Sequence, residues 1–154
     1  MTLDFQDSQK TKIQENVKAL PDKVLLSQMD YLADHERSIT ILVLRHLREI
    51  ELRKLFVDLK CSSMKDYCIK HLKYSDGQTQ RRLSSARLLI ELPEIEKEIQ
   101  SGSLNVTNLA NFQSFARTEK LADHALTKEE KLEILTDIQN KSTPSSKRPY
   151  GEIP

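Results

Sequence analysis

The sequence predicts an all-α fold: a multi-helix domain with a central helix-turn-helix and one long N-terminal helix. Three observations predict it. Apolar residues recur at three- and four-residue intervals along nearly the whole chain, with little strict alternation. Glycine is scarce, three residues in 154, and the Asp76-Gly77 pair sits between helical patterns rather than between β-rich runs. Capping patterns, Ser75-x-x-Gln78 and Thr127-x-x-Glu130, mark helix starts.

Residues 7–20 read as a short polar helix within an N-terminal extension, residues 1–20. Leu20-Pro21 is the boundary, because proline suits a first helical turn. Beyond it Val24, Leu25, Met29 and Leu32 make an apolar stripe, which Ile39, Leu42 or Val43, Leu47, Ile50 and Phe56 continue. Unbroken to about Leu59, this helix would be about 57 Å long. A kink, or a partner packed along it, is therefore expected, and Asp34-His35-Glu36-Arg37 is the polar patch where a break would fall. Charged residues 45–54 contain i,i+4 pairs such as Arg45–Glu49 and Glu49–Arg53, as a solvated face does.

Ser62-Ser63 is the next start signal, with Asp66 in the first turn. That helix runs to about Leu72 and turns Met64, Tyr67, Cys68 and Leu72 inward. The Ser75/Gln78 capping box then opens a helix over 76–91, with Thr79, Leu83, Ala86 and Ile90 on its core face. Pro93 opens a short helix to Gln100, and Gly102 suits the left-handed residue after it. Asn105 or Thr107 caps a helix to about Ala116. Thr127 and Glu130 box one to about Gln139. The helical domain thus covers 21–140, and 141–154, with Ser, Pro and Lys but no apolar period, reads as a disordered linker.

Composition excludes several functions. With 38% hydrophobic and 31% charged residues and no Trp, the core must be aliphatic and the outer faces charged. No two of Gly77, Gly102 and Gly151 are close enough for a P-loop, a dinucleotide fingerprint or a Gly-x-Ser-x-Gly elbow. Cys61 and Cys68 lack the spacing and the second ligand pair of a zinc site, so reduced thiols in a reducing compartment are expected. The polar N-terminus argues against a signal peptide, and no stretch approaches the roughly 20 apolar residues that span a bilayer. The expectation is a cytoplasmic protein with no membrane contact.

The segment that carries chemistry is 62–91, two short helices joined by a tight connection, the layout of a helix-turn-helix. With its core face inward, the second helix directs Gln78, Arg81, Ser84 and Ser85 outward, toward bases. Arg matches guanine O6 and N7, and Gln matches adenine N6 and N7. Lys73, Ser75, Gln80, Arg82 and Arg87 are placed to hold phosphates. Gly77 would let the backbone approach closely. Residues 60–91 hold seven cations and three anions, a local +4 in a chain of net +1, the electrostatic footprint expected for duplex DNA. The alternative is that Arg81 and Arg82 pair with acids on neighbouring helices.

These residues also carry a resemblance. "SDGQTQRRLSSARLLIELPEIEKEIQSGSLNVTNLANF", residues 75–112, resembles the helix-turn-helix region of ParB-type DNA-binding proteins. More of the chain, about 21–142, is similar to the N-terminal helical region of bacterial HNH endonuclease-family proteins. The matching segments are "HLREIELRKLF", "SSMKDYCIKHLKYSDGQTQRRLSSARLLIELPEIEKEIQSGSLNVTNLA" and "LTKEEKLEILTDIQNKST". That resemblance implies DNA binding by a helical region that precedes a nuclease domain. After "NKST" this chain reads "PSSKRPYGEIP", and His35, His46, His71 and His124 form no His-Asn-His arrangement that would bind a metal. The expectation is DNA binding without cleavage, with no catalytic site, metal, cofactor or small-molecule substrate. The second reading is an interaction module, in which the 21–59 stripe pairs with its copy in a homodimer or with a partner helix.

Overall fold

The computed structural model describes residues 16–139, and among these it is all-helical, with six α-helices, two 3-10 turns and no strand. By packing, the chain divides into one unit up to Glu36 and another from Arg37. Of the expected helix over 7–20, a 3-10 turn at Val17–Ala19 is present. Residues 1–15, like the tail 141–154, lie outside the described residues.

Helix α1 spans Asp22–Arg53. It contains neither Gly nor Pro, begins directly after Pro21, and continues through the polar patch Asp34–Arg37. It stops at Arg53 rather than near Leu59. The stop is a Schellman turn: Lys54 adopts a left-handed φ of 55°, the Lys54 N–H donates to Glu51 O at 3.2 Å, and the Leu55 N–H donates to Ile50 O at 3.1 Å. A second left-handed lysine, Lys60 at φ 59°, closes the following turn with its N–H on Val57 O at 3.0 Å. Among the described residues, the left-handed positions at Lys54, Lys60, Lys73 and Asp123 are filled by residues with a Cβ, and only Gly102, at φ 85°, has the residue best suited to that conformation.

Helix α2 spans Met64–Lys70, capped by Ser63, whose Oγ accepts from the Asp66 N–H at 3.0 Å. Helix α3 spans Asp76–Glu91, the bounds its capping box and Pro93 foretold. A 3-10 turn at Pro93–Ile95 leads into α4, Glu96–Ser101. Helix α5, Val106–Leu121, is capped by Asn105 and runs past Ala116. Helix α6, Lys128–Asp137, opens on the Thr127/Glu130 box.

The core lies in the second unit. Leu44 of α1, Cys68 of α2, Leu88 of α3, Leu109 and Phe112 of α5 and Leu135 of α6 are essentially inaccessible. Each such aliphatic or aromatic side chain contributes about 1.5–3 kcal/mol by leaving water. Helix α3 is the central element and packs chiefly on α5, then on α2. Ion pairs fasten the rim: Arg45 to Glu96, Lys131 to Glu91, and Lys128 to Glu94 at 2.5 Å. In the first unit, residues 16–36 include no buried residue, and Leu25, Leu26, Met29 and Leu32 are exposed. No helix among the described residues is long and apolar enough to cross a membrane.

Candidate nucleic-acid interface

Burial of α3 on two sides decides which of its residues face outward. Thr79, Leu83 and Ala86 pack inward as expected, but Ser85, Leu88 and Leu89 form a second buried strip. Two sequence assignments are corrected. Ser85 does not face bases: it is fully buried, and its Oγ donates to Val106 O at 3.2 Å, tying α3 to the start of α5. Ile90, assigned to the core face, is 49% exposed. The residue pattern of α3 suggested one inward face, whereas a helix sandwiched between neighbours has two.

The remaining predicted residues separate into two groups. Ser75, Gln78, Arg81 and Arg82, with Lys73, lie at the N-terminal end of α3. Ser75 Oγ accepts from the Gln78 N–H at 3.2 Å, and Gln78 Oε1 accepts from the Ser75 N–H at 3.0 Å. Both side chains therefore fix the helix start. Reading adenine bidentately with Gln78 would need that Oε1, so the box would have to open, at a cost of about 1 kcal/mol. Arg82 places its guanidinium carbon 4.7 Å from the centroid of the Tyr74 ring, which orients it while leaving its N–H edge for an acceptor.

Arg81 lies back over the helix start. A Cβ built on Gly77 would sit 3.2 Å from Arg81 Nη1. Gly77 thus makes room for the Arg81 side chain. Neither Arg81 nor Lys73 has an ion-pair partner among the described residues, so the expected alternative of pairing with neighbouring acids does not apply to Arg81. Lys73 is exposed, at φ 60°.

Gln80, Ser84 and Arg87 form the second group, along the strip of α3 that borders an open cleft of about 920 Å³. Arg87 is already engaged: its Nη2 lies 2.5 Å from Glu51 Oε1 and its Nε 3.3 Å from Glu51 Oε2. Arg48 Nη1 reaches the same carboxylate at 2.8 Å. Burial pushes the Glu51 carboxyl up, but the hydrogen bonds and charges of Arg87 and Arg48 outweigh it and hold the group below the usual carboxylate range. Arg87 therefore braces α3 against the end of α1 before it can meet any phosphate.

Cys61 and Cys68 are buried and unbridged, and burial, with the nearby Glu51 charge, pushes the Cys68 thiol up. The histidines stand apart: His46 Nδ1 is 2.7 Å from Leu42 O, His71 stacks on Tyr67, and His124 Nδ1 is 2.8 Å from Glu119 Oε2. Among the described residues no three His, Cys, Asp or Glu side chains gather as a metal site would require. Sequence reasoning missed Lys54, Arg117 and Lys120, which border the same cleft as Gln80 and Ser84. They come from the end of α1 and from α5, and only the i,i+3 pair Arg117/Lys120 left a local signal, two cations on one helix face.

No protein-family model, no curated protein and no solved structure matches this chain.

Proposed function

We propose that this chain is a DNA-binding helix-turn-helix module, centred on residues 62–91 of a helical domain, with no catalytic activity of its own. The observation that carries the reading is the N-terminal end of α3. There Lys73 and Arg81 carry charge that no described acid neutralises, and Arg82 is held by Tyr74. A guanidinium pre-positioned at a capped helix N-terminus suits phosphate and guanine recognition. The local +4 over 60–91 and the resemblance to the helical region of HNH endonuclease-family proteins point the same way. The buried, unbridged thiols fit a reducing, cytoplasmic setting. On this reading Arg81 reads a base, Lys73, Ser75, Gln80 and Arg82 contact phosphate, and Ser85 has no contact.

The experiment is fluorescence anisotropy of a labelled mixed-sequence duplex at low and moderate salt. Binding that weakens steeply with salt supports the reading, and no binding at low salt removes it.

A second reading is favoured by a specific observation in the first unit. Leu25, Met29 and Leu32 follow the four-three spacing of a coiled-coil seam, and Met29 is 56% exposed on a helix with no buried residue before Arg37. We propose that this stretch pairs with a second copy of the chain, which is compatible with binding two DNA half-sites. Sedimentation equilibrium tests it: a dimer that Met29→Glu dissociates supports pairing, and a strict monomer at tens of micromolar contradicts it.

A further inference from the structure

The cleft beside α3 has a charge pattern that the recognition helix does not account for. Six cations border it, and three are neutralised: Arg87 by Glu51, Lys131 by Glu91 and Lys65 by Asp76. The other three, Lys54, Arg117 and Lys120, have no ion-pair partner among the described residues. All three are exposed. They are fixed from two directions, Lys54 by the left-handed turn that ends α1 and Arg117 and Lys120 one turn apart on α5. Like charges brought together around one concavity focus a positive potential into it.

The wall between them is mixed: Phe56, Met64 and Leu83 supply apolar surface, and polar side chains lie among them. Gln80 and Ser84 face it from α3 and Ser114 from α5. Thr79, also on the wall, is 1% exposed, and its Oγ1 has no hydrogen-bond partner. A buried hydroxyl without a partner is unusual in a folded protein. The cleft holds about thirty water volumes at about 30 Å³ each, too large for one inorganic anion to fill. Three uncompensated cations suit a ligand with several negative charges.

We infer that this cleft takes a stretch of nucleic-acid backbone, with Lys54, Arg117 and Lys120 contacting phosphates and Gln80 and Ser84 donating to phosphate oxygens. This rests on the DNA-binding reading and extends its footprint from α3 across to α5. These three cations set the affinity for any sequence, whereas Arg81 sets sequence choice.

The test uses the full chain and the triple variant Lys54→Gln/Arg117→Gln/Lys120→Gln, whose sites are exposed and whose fold is checked by thermal melting. Anisotropy with a mixed-sequence duplex is measured from 50 to 200 mM salt. Each lost phosphate contact lowers the slope of log K against log salt by about 0.9, so the triple variant is expected to lose about two to three units of slope. A triple variant with the parent slope, while Arg81→Ala still weakens binding, overturns this inference and leaves the DNA-binding reading standing. A parent that fails to bind at 50 mM salt overturns both. Inorganic phosphate at matched ionic strength separates backbone from free anion. No displacement beyond the ionic-strength effect is expected, and saturable displacement at millimolar phosphate would assign the cleft to the free ion instead.

Discussion

Ser85 Oγ donates to Val106 O across 3.2 Å, so a hydroxyl from the middle of α3 adds a second hydrogen bond to a carbonyl in the first turn of α5. The bond joins the two helices that form the largest internal contact, and it takes one hydroxyl out of the set available to a ligand. Ser85→Ala should destabilise the protein by about 1 kcal/mol, because one hydrogen bond between two helices is lost, while the Val106 carbonyl keeps the bond of its own helix and little volume is lost. Urea denaturation measures that change. DNA affinity should stay at the parent value once the variant is folded, and a drop in affinity at unchanged stability would return Ser85 to the interface.

The acid limb of stability should depend on Glu51. Its folded pKa is depressed by Arg87 and Arg48 against the opposing effect of burial. A depressed carboxylate contributes stability that is fully present above its unfolded value, ordinarily 4.5, and that is lost as pH falls through the lower folded value. Glu51→Gln should therefore be less stable than the parent at neutral pH and lose less stability on acidification. Urea midpoints at about pH 6 and about pH 3 check the sign. Parallel loss in both proteins would mean that Glu51 is not the linked group.

Lys60 occupies a left-handed turn at φ 59°, where a Cβ crowds the backbone and glycine does not. Lys60→Gly should stabilise the protein, with up to about 1 kcal/mol from relief of that strain, partly offset by the greater entropy of an unfolded glycine. Thermal melting reads the effect, and a lower melting temperature would contradict it. Lys73, at φ 60°, should respond in the same direction in stability but lose DNA affinity, which separates the strain of the residue from its use.

Capping chemistry made most helix starts legible. Ser75 with Gln78 and Thr127 with Glu130 each satisfy two backbone donors that a helix N-terminus leaves unpaired, so they are local signals that tertiary packing rarely overrides. Helix ends were less legible where no glycine marks them. Lys54 ends α1 and Asp123 follows α5, both left-handed, and neither residue type announces that conformation. Burial on α3 was misread at Ser85 and Ile90 because periodicity describes one inward face, whereas a second strip, Ser85, Leu88 and Leu89, is buried as well. The cleft could not be read at all, since Lys54, Ser84 and Arg117 meet only through the packing of α1, α3 and α5. Arg87 was seen as a cation, but its partner Glu51 lies far back in the chain.

DNA binding by the N-terminal end of α3 through Arg81, as proposed, is tested most directly by paired anisotropy titrations of the parent and Arg81→Ala against a labelled duplex. The parent should bind at low salt and weaken steeply as salt rises. Arg81→Ala should bind more weakly by about 1–3 kcal/mol, with relaxed sequence choice if the lost contact was to guanine. A parent that does not bind at low salt, or an Arg81→Ala protein that binds as tightly as the parent, would contradict the account.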